Sequence, residues 1–323
     1  MAFYVEQPGI FTLVQDLGRW GHQARGLTVS SPMDQFSLRM GNVMVGNDEN
    51  DAALEITLFG LQIVFQEERY AVLTGAEMVM HIDGVPAAPW TVHYIKAGCR
   101  LAILGLPPAP GGGFRSYLCI SGGIDVPLVM GSRSTFTRGK IGGCKGRNLA
   151  AGDTINLFDP KPRSLKADGF VCPPELRPMK NPDEPIYALE GPQIDAFTQA
   201  GIDTFYSQPY TVTNEIDRTG YRLEGPKIEH KTVADIVSDG IAQGSVQVPG
   251  EGKPIVLMAD RPTTGGYTKI AVVSTWSVAR LAQKMPGETV RFQRVTEKEA
   301  VDYLIQFEKD LRRLEELCRA YSK

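Results

Sequence analysis

The chain has 323 residues, 42% of them hydrophobic and 22% charged, with a formal net charge of −3 and a pI of about 5.9. That length holds about two ordinary domains with packed cores, and the composition excludes a disordered chain. The acidic balance and the lack of Lys/Arg runs argue against nucleic acid as a partner, and no window approaches the roughly 18 apolar residues of a membrane span.

The start, Met-Ala-Phe-Tyr-Val-Glu, has neither a basic segment nor an apolar one, so no secretory signal is expected. Five scattered cysteines (Cys99, Cys119, Cys144, Cys172, Cys318) form no CxxC and no Cys/His ligand spacing. Neither a metal site nor a disulfide framework is expected, and the reading is a cytoplasmic protein with reduced thiols.

In chain order, a strand-like run ends at Asp16, and a glycine-rich polar stretch carrying Arg19 and His22 follows. Ser30-Ser-Pro-Met-Asp34 precedes the apolar-periodic stretch Gln35–Val45, which predicts a helix whose N-cap is drawn from Ser31 and Asp34. Leu54-Glu-Ile-Thr-Leu58 alternates as a half-buried strand, with Glu55 facing either solvent or a pocket. From Gly60 to Phe158, short apolar runs recur about every ten residues between turn signals, the spacing of a barrel or sandwich. Within that region, residues 121–147 are glycine-rich and basic (Arg133, Arg138, Lys140, Lys145, Arg147). They fail the GxxxxGK[ST] pattern, because Ile follows Lys140 and Gly follows Lys145. A long polar surface loop and a basic ligand-contacting loop both fit.

Prolines crowd residues 161–184 and predict a linker. The expected organisation is a first β-domain over 1–160, that linker, a second β-domain over 185–295, and a helix over 296–323. Two echoes tie the halves together: Ala151-Gly-Asp-Thr-Ile-Asn-Leu157 with Pro286-Gly-Glu-Thr-Val-Arg-Phe292, and Ser121-Gly-Gly-Ile124 with Ser238-Asp-Gly-Ile241. Ser274–Lys284 predicts a short helix capped by Ser274. Thr296 and Glu299 form a capping box for the last helix. Its stripe of Leu304, Phe307, Leu311, Leu314, Cys318 and Tyr321 is spaced for burial, on its own body or on another chain.

The stretch Val256–Ile270 concentrates the chemistry. An apolar run, Pro254-Ile-Val-Leu-Met258, ends at Asp260, followed by Arg261, Pro262, Thr263, Thr264, Gly265, Gly266 and Tyr267, then a second apolar run. The glycines permit positive φ and a close backbone approach to a ligand. The threonine hydroxyls and backbone N–H groups can donate to an anion, and Asp260 can serve as a base or bind a cation. A tight hairpin between the two apolar runs fits the same layout.

Several stretches together resemble one family: Thr12-Leu-Val-Gln-Asp-Leu-Gly-Arg-Trp-Gly21, Ala53-Leu-Glu-Ile-Thr57, Tyr117-Leu-Cys-Ile-Ser-Gly-Gly-Ile-Asp-Val-Pro127, Arg218-Thr-Gly-Tyr-Arg-Leu223, Val246-Gln-Val-Pro249 and the Asp260 stretch. The chain resembles the allophanate hydrolase subunit 2, or KipA-like (biotin-dependent carboxyltransferase), family over about residues 5–295. It departs mildly at Ser31-Pro-Met-Asp34, where members often carry Gly-Pro-Met-Asp. The resemblance implies a mainly β fold, two tandem cyclophilin-like β-barrel domains, with the C-terminal helix as an extension. Some members are the C component of an ATP-dependent 5-oxoprolinase. The partners implied are a KipI-like B component and, for those members, a LamB/YcsF-like A component. The reaction implied is opening of the 5-oxoproline lactam to L-glutamate, with ATP used by the complex and its site off this chain. Two alternatives stand: the carboxyltransferase half of a biotin-dependent urea carboxylase/allophanate-type system, and a non-catalytic KipI-antagonist binding protein. The chain lacks Met-Lys-Met, and Met179-Lys180-Asn181 fails at its third residue, so biotin in that alternative arrives on another chain.

For a cyclic or urea-like amide substrate the expected catalytic residues are Asp260 (base or ring N–H acceptor), Thr264 (oxyanion donor) and Arg218 (bidentate carboxylate clamp). Tyr221, Gln247, Thr263, Gly265 and Gly266 are expected to line the substrate site, joined by Asp16, Arg19 and Glu55 from the N-terminal segment. For Arg218 and Asp16 a salt bridge bracing loops is the competing reading.

Overall fold

The computed structural model describes residues 2–106, 112–161, 167–178, 181 and 183–322. The chain forms two compact units. One holds the described residues of 1–19, 30–182 and 307–323; the other holds 20–29 and 183–306. Parts of the proline-rich stretch (162–166, 179, 180 and 182, with Met179 and Lys180 of the biotin-like tripeptide) lie outside the described residues.

The first unit is built of two sheets. The larger has seven strands in the order Ile124–Asp125, Thr154–Leu157, Phe3–Pro8, Leu61–Phe65, Arg100–Gly105, Val79–Ile82, Val85–Ala87. The smaller has five: Phe11–Gln15, Ala53–Thr57, Arg115–Ile120, Arg69–Gly75, His93–Ile95. One apolar cluster draws on both, with Phe3, Val5, Leu61, Ile63 and Leu101 from the larger sheet and Val14, Leu54, Ile56, Leu73, Leu118 and Ile120 from the smaller. Both sheets are antiparallel throughout.

Helix α1 (Gln35–Met44) begins one turn later than a Ser31 cap would place it. Its cap is Asp34, whose carboxylate accepts from Phe36 N and Ser37 N at 3.1 Å each. Pro32 and Met33 separate Ser31 from the first helical turn, so Ser31 cannot reach the free N–H groups that a cap satisfies. The helix packs on the Arg69–Gly75 and Arg115–Ile120 strands. Gly41 makes the close approach possible, because a Cβ there would lie 2.6 Å from Cys119 Sγ and 2.9 Å from Thr74 Oγ1.

The second unit is a closed barrel of seven strands: Ile186–Glu190, Lys269–Val273, Ser245–Gln247, Ile255–Leu257, Gly220–Glu224, Pro209–Ile216 and Thr289–Arg294, closing back on the first through a parallel pair. A two-stranded ribbon, Asp235–Gly240 with Thr264–Tyr267, accompanies it. Helix α2 (Gln199–Ser207) follows the Thr198 cap and lies on the Thr289–Arg294 strand. The sequence reading overlooks α2 because only Gly201 and Phe205 are buried along it, too thin an apolar stripe to show a 3.6-residue period. Phe205 stacks on Phe292 at 4.4 Å. Helix α3 (Thr275–Ala282) is capped by Ser274 as its sequence predicts.

Each member of the first sequence echo is a glycine turn leading into a strand that pairs with the opening strand of its own half. Gly152 and Gly287 have φ of 91° and 89°; Thr154–Leu157 pairs with Phe3–Pro8, and Thr289–Arg294 with Ile186–Glu190. The second echo does not carry over: Gly122 and Gly123 have positive φ before a strand, whereas Ser238-Asp-Gly240 lies inside the ribbon.

The last helix, α4 (Glu297–Tyr321), opens with the reciprocal capping box: Thr296 N donates to Glu299 Oε2 at 2.7 Å and Glu299 N to Thr296 Oγ1 at 3.3 Å. Its stripe docks on the chain's own body. Phe307, Leu311, Leu314 and Cys318 are buried, Phe307 packs edge-on against Phe36 at 4.6 Å, and Tyr321 meets Phe170 at 5.4 Å. No described helix is long and apolar enough to cross a membrane.

Two stability outcomes follow from this packing. Leu314→Ala should cost about 2–5 kcal/mol in denaturant unfolding, the cost of a buried cavity, whereas Ile305→Ala, on the exposed face of the same helix, should stay within about 0.5 kcal/mol. Tyr210 is fully buried in the barrel, its hydroxyl has no partner among the described residues, and burial pushes that hydroxyl up to about 12. A phenol whose folded pKa is raised contributes stability below its unfolded value of about 10, lost as the pH climbs toward 12. Tyr210→Phe should therefore be neutral or stabilising at pH 7, and should flatten the loss of melting temperature between about pH 10 and pH 12.

Candidate functional site

The two apolar runs flanking Asp260 do not form a hairpin. Ser245–Gln247 lies between them in the barrel, pairing with Ile255–Leu257 on one side and Lys269–Val273 on the other. The chain leaves the barrel after Leu257, turns through Met258–Thr263, and returns by way of the ribbon strand Thr264–Tyr267. The ribbon strand pairs with Asp235–Gly240, Gly265 opposite Asp239 and Thr264 opposite Gly240. Neither Gly265 nor Gly266 has positive φ. A Cβ at 265 would lie 2.6 Å from Ile241 Cδ1 and 2.8 Å from Gln247 Nε2, so the ends of those two side chains would have to shift.

The turn is held by an ion pair. Gly220 lies opposite Leu257 in the sheet, so the residues just before Gly220 face those just after Leu257. Met258 N donates to Thr219 O at 2.9 Å and Asp260 N to Arg218 O at 2.7 Å. Arg218 then places a two-toothed grip on Asp260, Nε to Oδ2 and Nη2 to Oδ1, both 3.0 Å. Each residue is 5% exposed. Asp217 shapes the approach by accepting from Thr219 N and Gly220 N at 2.6 and 3.0 Å. The fork of Arg218 therefore engages Asp260, and the bracing reading describes this contact. The sequence named the right partner type for Arg218, a carboxylate, but that carboxylate belongs to the chain. Thr28, from the short N-terminal segment of this unit, donates to Ala259 O at 3.2 Å beside the pair.

Around this centre, Thr263 is half-buried and its carbonyl accepts from Ile241 N at 3.1 Å. Thr264 is exposed, and Gly265 and Gly266 are half-buried. Gln247 is buried, and its Nε2 has no partner among the described residues. Tyr221 is fully buried and donates to Ala282 O at 3.3 Å, so it belongs to the barrel interior.

Two cations that sequence reasoning missed complete the surroundings. Lys269 is buried and paired with Asp239 at 2.7 Å, and that hydrogen bond holds the Asp239 carboxyl below the usual carboxylate range. Arg261, 4% exposed, donates from Nε to Ile241 O at 3.1 Å and from Nη1 to Met258 O at 3.5 Å. Burial pushes its pKa down to about 10, partly opposed by the charge of Asp260. The only sequence signal for either was its place within the polar stretch.

The three N-terminal candidates lie in the first unit, where their polar atoms hold loops. Asp16 Oδ1 accepts from Ser132 Oγ, Ser134 Oγ and Gly18 N at 2.6, 2.8 and 2.9 Å, and Oδ2 accepts from Arg133 N at 2.5 Å. Arg19 donates to Val129 O at 3.0 Å and Ser134 O at 2.9 Å. Glu55 is buried, and its Oε2 accepts from Met33 N at 2.7 Å and Tyr117 Oη at 2.9 Å, fixing the entry to α1.

The glycine-rich tract is packed, and it makes a poor phosphate cradle. A Cβ on Gly142 would collide with Ser134 O, one on Gly143 with Thr135 Oγ1, and one on Gly146 with the Lys140 carbonyl group. The space a P-loop leaves for phosphate oxygens is filled here by the chain's own atoms. Among the described residues, no group of three or more His, Cys, Asp or Glu is placed to hold a metal ion.

The carboxyltransferase domain family (subdomains A and B) matches residues 25–294, and the chain belongs to it. It is 39% identical to the C component of the 5-oxoprolinase of Escherichia coli over 295 residues, 91% of each chain. It is 37% identical to the Haemophilus influenzae protein of the same name over 287 residues, 89% of each. The crystal structure of the Kluyveromyces lactis urea amidolyase superposes with a TM-score of 0.89 at 32% identity, covering 97% of this chain and 20% of that one.

Asp260→Ala should destabilise the second unit by about 3–5 kcal/mol, because it strands a buried guanidinium. Chemical denaturation of the purified chain, compared with Thr264→Val on the exposed ribbon, measures the difference.

Proposed function

We propose that this chain is the C component of an ATP-dependent 5-oxoprolinase, which opens the lactam of 5-oxoproline to L-glutamate. Its partners in that complex are a LamB/YcsF-like A component and a KipI-like B component. The observation that carries the reading is the 39% identity to a 5-oxoprolinase C component over 91% of both chains. A match of that extent spans nearly the whole of each protein rather than a shared module.

The chemistry asked of the site is modest. Water adds to the lactam carbonyl, the ring C–N bond breaks, and the nitrogen takes up a proton as the amino group of glutamate. The carbonyl oxygen gains negative charge on the way, and fixed N–H and O–H donors stabilise it. Thr264 and the backbone amides of Gly265 and Gly266 are the donors assigned to that oxygen. Asp260, held by Arg218 at 3.0 Å, is assigned to the ring N–H, and Gln247 and Thr263 line the substrate. ATP is used by the complex, and no step through it is assigned to this chain. The chain by itself is expected to be inactive.

A second reading, half of a biotin-dependent carboxyltransferase, is favoured by the superposition on urea amidolyase over 97% of this chain. Biotin would then arrive on another chain, and its ureido ring presents the same planar amide to the site.

Glutamate release from 5-oxoproline and ATP by the chain reconstituted with candidate A and B components is the deciding measurement. Thr264→Val should lower turnover about 100–1,000-fold, the cost of one oxyanion donor, with an unchanged melting temperature. Full turnover in that variant removes Thr264 from the mechanism. No glutamate from any combination of components, with carboxyl transfer to or from a biotin carrier, would establish the second reading.

A further inference from the structure

Among its described residues the second unit buries four cations: Arg218, Arg261, Lys269 and Arg280. Three have a carboxylate of the unit itself within reach. Arg218 grips Asp260, Lys269 holds Asp239 at 2.7 Å, and Arg280 meets Glu184 at 2.6 Å. Arg261 has no carboxylate at ion-pair distance among the described residues; the neighbouring Asp260, gripped by Arg218, acts on it through its field. The partners of Arg261 are the carbonyl oxygens of Ile241 and Met258, reached by Nε and Nη1, and Nη2 has no acceptor among the described residues. Two carbonyl dipoles orient a guanidinium without neutralising it, and a buried charge without a close counter-ion is costly. Burial draws its pKa down to about 10, so it remains protonated at neutral pH.

A second donor is left over close by. Gln247 Nε2 is buried and has no hydrogen-bond partner among the described residues. Both residues border Ile241, Arg261 on its carbonyl and Gln247 toward the end of its side chain. Arg261 Nε binds its carbonyl, while its Cδ1 and Gln247 Nε2 both lie within 3 Å of the point where a Gly265 Cβ would stand, at 2.6 and 2.8 Å. A guanidinium edge and an amide N–H both donate, and the charge of the guanidinium favours a planar oxyanion over a neutral group of the same shape.

We propose that Arg261 and Gln247 form the receptor for the carboxylate of the cyclic-amide substrate. The proposal rests on the 5-oxoprolinase reading for the identity of the substrate, but not for the existence of the anion site. It moves the clamp role from Arg218, which already holds a carboxylate of the chain, to the neighbouring arginine.

The experiment has two arms. In the reconstituted complex, Arg261→Met should raise KM for 5-oxoproline about 10–100-fold, the loss of a charge-assisted contact, with a smaller change in kcat, and Arg261→Lys should recover part of it. Gln247→Leu should raise KM less. A KM within about twofold of wild type for Arg261→Met overturns the receptor while leaving the 5-oxoprolinase reading intact. In the second arm, phenylglyoxal labelling of Arg261 in the wild-type complex is followed by peptide mass spectrometry, with 5-oxoproline, bicarbonate or neutral 2-pyrrolidinone present. Protection by either anion and not by 2-pyrrolidinone supports the receptor, even if no glutamate forms and the 5-oxoprolinase reading falls. Equal labelling under all three conditions overturns it.

Discussion

The contact on which the second unit's polar segment depends is the ion pair between Arg218 and Asp260. It joins two turns that the barrel register has already brought face to face, since Gly220 lies opposite Leu257. Two backbone hydrogen bonds, from Met258 to Thr219 and from Asp260 to Arg218, align the turns before the side chains meet. The pair then fixes the direction in which the chain leaves the barrel, and with it the placement of Arg261 and the ribbon. Desolvating both charges is expensive, and two parallel hydrogen bonds at 3.0 Å are the geometry that best offsets that cost.

The first unit uses a carboxylate in a related way, with no ion pair at its centre among the described residues. Asp16 gathers two serine hydroxyls and two backbone N–H groups around one buried carboxylate. Arg19 holds the Val129 and Ser134 carbonyls on the same tract. The glycines at 142, 143 and 146 let neighbouring backbone close over this arrangement. A stretch that looks flexible by composition is thus held by several hydrogen bonds and close backbone contacts.

The ribbon and the barrel serve different ends. Strands of the barrel bury Tyr210, Tyr221, Val246, Val256 and Phe292 and give the unit its rigidity. The ribbon buries little and presents Thr264, Gly265 and Gly266 at or near the surface. Putting polar donors on a short strand tied to a rigid barrel reconciles accessibility with a fixed position, which a donor set for an anionic oxygen requires.

Local signals in the sequence determined the mainly β character, the Ser274 cap, the Thr296–Glu299 box and the buried stripe of the last helix, because each depends on residues within a few positions of one another. The stretches that mark the family were equally legible, as was the concentration of chemistry around Asp260. Which polar residue answers which was decided by tertiary structure alone. Arg218 and Asp260 are 42 residues apart, and Asp16 and Ser134 are 118 apart; no periodicity carries information over such separations. The same holds for the apolar runs around Asp260, which read as a hairpin until a third strand, Ser245–Gln247, is inserted between them. Strand order in a closed barrel is set by how all seven strands share one interior, and that is a property of the whole fold rather than of any window of the chain.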